Sequence, residues 1–398
     1  MAKYAFFSIP AHGHVLPTLP LVTELVSRGG QVTYYMKDEY KDSIEAAGAD
    51  VRDFPLFVSV MPGEKEKRAL GDLIDSLRAE QTDCIIYDFF FIWGSLLARA
   101  LQIPAINVRG TYANNRHFSM RHIYYHRSHI WSNPDSEHAT TYFNIDAIYA
   151  QFARVSEILN VPVPVPADPF DVFSANDALN IYMIPRMFQP YADTFDERHV
   201  FVGSSISSRP GIADFPFEAL DERPLLYIAL GTLFNNRADI FKTCIKAFGQ
   251  SGWQVVLSRG RRSAPFALGP VPANFLVVNY APQLEVLARA SIFISHGGMN
   301  STVESIMAGV PTIFIPQISE QAINAENAEK FGLGIALNPE TVTADQLRDA
   351  VERITNNRAY YEENIQRMRG IIQNEGGYKR AVDAILSMQG NRSFVTSR

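Results

Sequence analysis

The sequence predicts two α/β domains of similar size, each built on a parallel, doubly wound, Rossmann-like sheet. Three observations support this fold class. The chain has 398 residues, which is too long for one ordinary hydrophobic core. Short apolar runs alternate with helical patterns in both halves, as expected of parallel strands joined by crossover helices. Between the halves, residues 204–223 carry serines, two prolines and a glycine with little periodicity, which indicates a linker.

The first half predicts strands and helices in regular alternation. In chain order these are a strand at 4–9, a helix at 16–28, a strand at 31–36, a helix at 38–47, a helix at 64–80, and strands at 84–87 and 105–108.

The second half repeats this alternation. It predicts a strand at 225–230, a helix at 238–250, strands at 253–258, 291–295 and 312–316, and two or three closing helices after residue 343, the last of them at about 378–388.

Composition excludes several classes of protein. Hydrophobic residues make up 47% of the chain and charged residues 20%, the balance of a soluble globular enzyme. A net charge of -6 argues against a nucleic-acid partner. No apolar stretch is long enough for a membrane span, and the apolar start is too short for a signal peptide. Cys84 and Cys244 lie in different halves inside apolar segments, so we expect free thiols and a cytoplasmic location.

A phosphate site is predicted where the strand at 291–295 meets a helix. His296 and Gly298 lie in the turn, and Asn300 and Ser301 lie in the first helical turn. Glycines allow close backbone approach, and free N–H groups at a helix N-terminus bind anions. Glu304, three residues after Ser301, shares its helix face and is suited to accept hydrogen bonds from ribose hydroxyls.

These residues, with 280–283, resemble the donor-binding signature of UDP-glycosyltransferases that modify small molecules. The resemblance is close to the bacterial macrolide glycosyltransferase branch, and it also includes motifs at 7–14, 83–88 and 229–235. It implies the GT-B architecture, with two facing Rossmann-like domains and a cleft between them. We therefore expect an acceptor domain at 1–205, a linker at 206–223, a donor domain at 224–376, and a C-terminal helix at 377–398 that packs on the acceptor domain.

The resemblance also implies the donor contacts. Gly231 and Thr232 are suited to a phosphate, Tyr280 to stacking on uracil, and Gln283 to the ribose or base. Glu320 and Gln321 occupy the pair that holds the donor sugar. Many relatives have aspartate in place of Glu320. The glutamate side chain is one methylene longer, which moves the carboxylate outward and affects the choice of donor sugar.

The resemblance implies a catalytic histidine after the first strand. The Gly-His-x-x-Pro motif matches His14 with Pro17, and Asp88 follows as the partner that orients the imidazole. An acceptor hydroxyl needs a base near neutral pH to remove its proton. His12 is the rival in the same motif, because extended residues two apart point to the same side. We favour His14 and keep His12 as an acceptor-pocket or structural residue.

Residues 111–173 interrupt the α/β alternation with many aromatic side chains. They either line an apolar acceptor pocket or belong to ordinary core and surface helices, and the sequence favours neither. The candidate pocket residues are Phe89, Tyr112, Phe118 and Trp131.

We expect no metal ion and no cofactor. His122, His126 and His129 share a helix face, but no cysteine or carboxylate completes a zinc shell, so solvated or pocket-lining imidazoles are preferred. The chain has no Asp-x-Asp pair to bridge a metal ion to a diphosphate.

Together these features predict an inverting, metal-independent glycosyltransferase. The expected reaction moves glucose from UDP-glucose to a hydroxyl of an apolar natural product such as a macrolide, flavonoid or other polyphenol, in a monomer or weak dimer. The alternatives are another sugar-nucleotide enzyme of the same architecture, such as an epimerase, and a non-catalytic nucleotide-sugar-binding partner. A TDP-sugar donor also stays open.

Overall fold

The computed structural model describes residues 1–54, 64–118, 145–161, 177–204, 206, 215–231, 236–260 and 268–390. These residues form two compact units. The first holds the described residues up to 206 together with 372–390, and the second holds those from 215 to 371.

The first unit is built on a parallel sheet of seven strands in the order β3-β2-β1-β4-β5-β6-β7. Every residue of the inner strands β4 and β5 is buried, as expected of a sheet covered on both faces. The strands are β1 (Lys3–Phe7), β2 (Gln31–Tyr35), β3 (Asp50–Arg52), β4 (Cys84–Asp88), β5 (Ala105–Arg109), β6 (Leu179–Tyr182) and β7 (His199–Phe201).

Helices cover both faces of this sheet. In the described part of the chain they are α1 (His12–Val15), α2 (Leu19–Ser27), α3 (Lys41–Ala46), α4 (Glu64–Ala79), α5 (Gly94–Leu101), α6 (Ile145–Ile158) and α13 (Gly377–Gly390). Leu25 of α2 and Ile385 of α13 belong to the core on one face, whereas Leu70 of α4 and Leu97 of α5 belong to the core on the other. All four side chains are fully buried.

The second unit repeats this plan with six parallel strands in the order β10-β9-β8-β11-β12-β13. The strands are β8 (Leu225–Ala229), β9 (Gln254–Ser258), β10 (Phe275–Val278), β11 (Ala290–Ser295), β12 (Thr312–Phe314) and β13 (Gly334–Ala336). The helices are α7 (Ala238–Phe248), α8 (Gln283–Leu287), α9 (Met299–Ala308), α10 (Ser319–Lys330), α11 (Ala344–Asn356) and α12 (Arg358–Asn374).

Both sheets reverse their strand order at one point, between β1 and β4 in the first unit and between β8 and β11 in the second. The loops at the carboxyl ends of the two strands diverge at such a point and leave a crevice, where ligands of open α/β sheets bind. These two strand pairs therefore mark where each unit should carry functional residues.

The predicted fold class, two α/β domains each built on a parallel sheet, is confirmed. One local prediction is wrong, because His12–Val15 form a helical turn rather than extended chain. Residues two apart on a helix point in very different directions, so His12 and His14 do not share a side. No described helix is both long and apolar enough to cross a membrane.

Candidate active site

The turn after β1 places His14 beside the end of β4. Strands β1 and β4 are neighbours in the sheet, and Phe7 pairs with Tyr87. His14 Nδ1 lies 2.8 Å from Asp88 Oδ2, and their side chains are 15% and 5% exposed. The other carboxylate oxygen, Asp88 Oδ1, accepts a hydrogen bond of 2.9 Å from the backbone N–H of Phe90.

This arrangement fixes the tautomer of His14. An ionised carboxylate only accepts hydrogen bonds, so Nδ1 carries the proton and Nε2 is the basic nitrogen. The Phe90 N–H holds the Asp88 carboxylate in this orientation through its other oxygen. The pair can therefore accept a proton at Nε2 and balance the imidazolium that forms.

Aromatic rings surround this pair. The ring centroid of His14 lies 5.1 Å from that of Phe90 and 5.8 Å from that of Phe89. Phe90 is half-buried, whereas Phe89 is buried with the guanidinium of Arg109 over its face at 5.4 Å. Phe90 was missed by sequence reasoning, although it directly follows Asp88 and Phe89.

His12 points elsewhere. Its ring packs edge-on against Tyr40 at a centroid distance of 5.3 Å. The structure thus gives the contact with Asp88 to His14 and places His12 against an aromatic residue of the core.

Two predicted acceptor residues, Tyr112 and Phe118, are buried and pack edge-to-face at 5.8 Å. Their role in an acceptor pocket stays a prediction. Trp131, together with His122, His126 and His129, lies outside the described residues.

In the second unit, the turn after β11 leads directly into α9. Gly297 has a φ of +79°, which favours glycine, and its carbonyl accepts a 2.9 Å hydrogen bond from Asn324 Nδ2 of α10. Gly298 is the N-cap of α9 and supplies no side-chain cap. The N–H groups of the first helical turn, at Met299, Asn300 and Ser301, therefore form a candidate anion site.

His296 fits into space left by two glycines. A Cβ atom on Gly231 would lie 2.6 Å from His296 Nε2, and one on Gly298 would lie 2.5 Å from it. Burial lowers the pKa of this imidazole to about 4, so the ring is neutral at physiological pH. Its Nδ1 has no hydrogen-bond partner in the described part of the chain. Thr232, the next predicted phosphate contact, lies outside that part.

A buried carboxylate lies farther along α9. Glu304 is 2% exposed, and its Oε2 accepts a 2.5 Å hydrogen bond from Gln283 Nε2. The same amide nitrogen donates to Ser301 Oγ at 3.1 Å, and Tyr227 OH donates to Gln283 Oε1 at 3.4 Å. Three predicted donor residues are thus brought together. The half-buried Tyr280 lies just before α8.

The predicted sugar contacts lie in the first turn of α10. Glu320 is half-buried and Gln321 is buried. Gln321 Oε1 accepts a 2.7 Å hydrogen bond from the backbone N–H of Gln317. Sequence reasoning missed Gln317 and Asn324, because their partners are defined by loop geometry and no motif marks them.

The second unit resembles a known family. A family model described as "UDP-glucoronosyl and UDP-glucosyl transferase" matches residues 213–376.

Similar proteins extend over the whole chain. The NDP-glycosyltransferase YjiC of Bacillus licheniformis is 36% identical over 96% of this chain and 96% of its own. The demethyllactenocin mycarosyltransferase of Streptomyces fradiae is 31% identical over 97% of this chain and 86% of its own. The crystal structure of CalG4, the calicheamicin glycosyltransferase, superposes with a TM-score of 0.76 at 30% identity and covers 99% of both chains.

Proposed function

The chain belongs to the UDP-glucoronosyl and UDP-glucosyl transferase family, and from that membership we propose that it transfers glucose from UDP-glucose to a hydroxyl of an apolar natural product. The coarser statement, that it is a small-molecule glycosyltransferase of the GT-B type, follows from its relatives. The sugar, the nucleotide and the acceptor are the proposed part.

The observation that carries the proposal is the 2.8 Å contact between His14 Nδ1 and Asp88 Oδ2. His14 Nε2 removes the acceptor proton as the acceptor oxygen attacks the anomeric carbon of the donor, and Asp88 stabilises the imidazolium. The bond from the anomeric carbon to the diphosphate breaks in the same step. Direct displacement converts an α-linked donor into a β-linked product, and UDP leaves with both electrons of the broken bond.

The departing diphosphate needs charge stabilisation. The uncapped N-terminus of α9 supplies N–H donors and the positive end of a helix dipole. His296, with its pKa of about 4, acts as a neutral hydrogen-bonding group rather than as a cation. Because no metal ion is required by this scheme, we propose metal-independent transfer.

The proposed acceptor class rests on the surroundings of His14. The half-buried ring of Phe90 lies 5.1 Å from the imidazole, so the group that presents its hydroxyl to Nε2 packs on an aromatic surface. Two relatives are named for demethyllactenocin and calicheamicin. We therefore propose an apolar, ring-containing natural product.

Mass spectrometry of paired reactions tests the proposal. Wild-type protein is incubated with UDP-glucose, other UDP-sugars or TDP-glucose, each with a panel of macrolides, flavonoids and simple phenols. We expect a hexosyl adduct with UDP-glucose, and NMR of the product should show a β linkage. An altered donor sugar with no adduct would favour an epimerase, and donor binding with neither product would favour a binding protein.

A matched pair of variants assigns the activity to the site. The first unit contains a second histidine–carboxylate pair, in which His199 Nδ1 lies 2.8 Å from Asp196 Oδ1. Asp88→Asn should lower turnover by roughly 100-fold or more, since an amide cannot stabilise the imidazolium. Asp196→Asn should retain wild-type turnover. Equal losses in both variants would contradict the proposed site.

A further inference from the structure

Arg237 is a buried arginine at the start of α7. Its side chain is 11% exposed. Nε and Nη2 donate to the two carboxylate oxygens of Asp239 at 3.0 and 2.8 Å. Nη1 donates to Gln317 Oε1 at 2.7 Å, and Nη2 also donates to the carbonyl oxygen of Pro339 at 3.0 Å. One guanidinium therefore joins the loops that follow β8, β12 and β13.

Gln317 extends this connection into the loop before α10. The residue is 4% exposed. Its Oε1 accepts from Arg237, its Nε2 donates to the carbonyl oxygen of Ile315 at 2.6 Å, and its backbone N–H donates to Gln321 Oε1 at 2.7 Å. A continuous chain of hydrogen bonds thus runs from Arg237 through Gln317 to Gln321.

This chain determines which end of the Gln321 amide is available to a ligand. A backbone N–H can only donate, so the oxygen of Gln321 must face Gln317. The NH2 group then points away from the loop, and within the described part of the chain it makes no hydrogen bond. Gln321 therefore offers a donor to a sugar oxygen, whereas the neighbouring carboxylate of Glu320 can only accept.

The charge of Arg237 is balanced by a carboxylate in the first turn of α7. Asp239 binds the guanidinium through both oxygens, so the site gains no net positive charge that would attract a diphosphate. Arg237 should consequently act on the orientation of Gln321 rather than on nucleotide affinity.

We propose that Arg237 and Gln317 are positioning residues that fix the Gln321 amide, and thereby set how strongly the enzyme holds the sugar of its donor. The inference rests on the proposed function, because it takes the residues at the start of α10 as the sugar contacts. Neither Arg237 nor Gln317 needs to touch the donor itself.

The test compares binding of UDP with binding of the UDP-sugar that the wild type uses fastest. Calorimetric titrations are made with Arg237→Lys and Gln317→Leu. We expect the Kd of the UDP-sugar to rise about tenfold, the value of one hydrogen bond to a neutral group, while the Kd of UDP stays within about twofold. If Arg237→Lys fails to fold, Gln317→Leu still tests the proposal, because the arginine stays in place and the Kd values of UDP and the UDP-sugar can be compared in the same way.

Arg223→Lys is the matched control. Arg223 also pairs with a carboxylate two residues away, Asp221, through bonds of 2.9 and 3.0 Å from its Nε, but that pair is half-exposed and makes no hydrogen bond to the predicted donor residues that the structure describes. We expect this variant to bind UDP and the UDP-sugar as the wild type does.

A double variant separates positioning from general loosening of the unit. Gln321→Glu keeps the acceptor for Gln317 but replaces the outward NH2 group by an oxygen, so it removes the donor to the sugar. Arg237→Lys added to Gln321→Glu should weaken UDP-sugar binding no further, because both changes act through one amide. If the two losses of UDP-sugar affinity are additive, or if UDP affinity falls as much as UDP-sugar affinity, the positioning role is wrong but the proposed function is unaffected. A wild type that binds no nucleotide sugar would overturn the proposed function as well.

Discussion

His14 is the residue on which the proposed chemistry depends most directly, since its contact with Asp88 makes Nε2 the basic nitrogen. We expect His14→Ala to lower turnover with an aliphatic alcohol acceptor by about 100-fold to 10,000-fold. UDP affinity should change little, because the predicted nucleotide contacts lie in the other unit. Initial rates and UDP titrations measure the two effects.

His12→Ala is the comparison variant for His14→Ala. His12 lies in the same helical turn but packs against Tyr40, so its loss should leave most of the turnover in place. If His14→Ala keeps more than a tenth of wild-type turnover while His12→Ala does not, the base is His12.

Glu304 is expected to act in donor binding rather than in the chemical step. Ribose hydroxyls do not change charge at the transition state, so their contacts contribute uniform binding. Glu304→Ala should raise the donor KM far more than it lowers kcat, and saturation kinetics separate the two. A large loss of kcat at saturating donor would argue against the ribose role. Because Gln283 binds this carboxylate at 2.5 Å, circular dichroism and a melting curve are needed to show that the variant stays folded.

At the scale of single residues, sequence motifs identify candidate functional side chains. They are less informative about which atoms of those side chains form contacts. The family resemblance pairs His14 with Asp88, and the structure brings Nδ1 and Oδ2 of the two side chains to 2.8 Å. The link from Arg237 to Gln317 spans 80 residues. It depends on how three loops fold over one sheet edge, and no local pattern contains that information.

The prediction about metal ions depends on the N-terminus of α9. If its N–H groups and His296 stabilise the departing diphosphate, excess EDTA should leave most of the activity intact. His296→Ala should cost about 2 kcal/mol or more of transition-state stabilisation. Single-turnover assays measure both effects. Abolition by EDTA with recovery on adding Mg²⁺ or Mn²⁺ would show that an ion supplies this charge.

The same element gives a steric prediction. Gly298 has a φ of −58°, which alanine also adopts, yet a Cβ there would lie 2.5 Å from His296 Nε2. Gly298→Ala should displace the imidazole and weaken UDP binding by about tenfold, while the melting temperature changes little. Isothermal titration with UDP measures the change.

Gly71→Ala in α4 is the control for Gly298→Ala. A Cβ at Gly71 meets no atom within 4 Å, and alanine is the better helix former. Wild-type UDP binding is expected. If both variants bind UDP equally well, the fit of His296 between the glycines does not affect UDP affinity.

At the scale of elements, the sequence predicts several of the longer helices but misses most of the short strands, and it predicts no helix at α5 or α10. The pattern predicts α2 and α7 close to their observed bounds, but it predicts no strand at β3, β6, β7, β10 or β13. Those strands have only three or four residues each, too few to show a period. The prediction of extended chain at His12–Val15 is wrong because a four-residue helix has no sequence signature of its own.

For the whole molecule, pH should affect stability through Glu375, between α12 and α13. Its Oε1 accepts a 2.8 Å hydrogen bond from the backbone N–H of Arg186, and its buried Oε2 has no partner in the described residues. Burial raises the pKa of this carboxyl to about 7, although Arg186 and Arg380 oppose the shift.

The sign of this effect follows from linkage. Below about pH 4.5 the group is protonated in both states, and its full contribution to stability is present. That contribution is lost as pH rises through about 7, because the unfolded state releases the proton more easily. Glu375→Gln should therefore lose about 1 kcal/mol less stability between pH 5 and pH 8 than the wild type, after allowance for solvent screening. Urea unfolding at both pH values measures this, and identical pH dependence in the two proteins would contradict it.

The position of α13 has a consequence for how the protein is made. Ala381, Val382 and Ile385 are fully buried in the core of the first unit, and Tyr4 OH donates a 2.6 Å hydrogen bond to Gln389 Oε1. Domains usually fold in order as they leave the ribosome. Here the first unit to be translated lacks part of its core until α13 has been synthesised, so it completes folding only after the second unit is available to fold. Translation arrested before α13 should leave the first unit sensitive to protease while the second is protected.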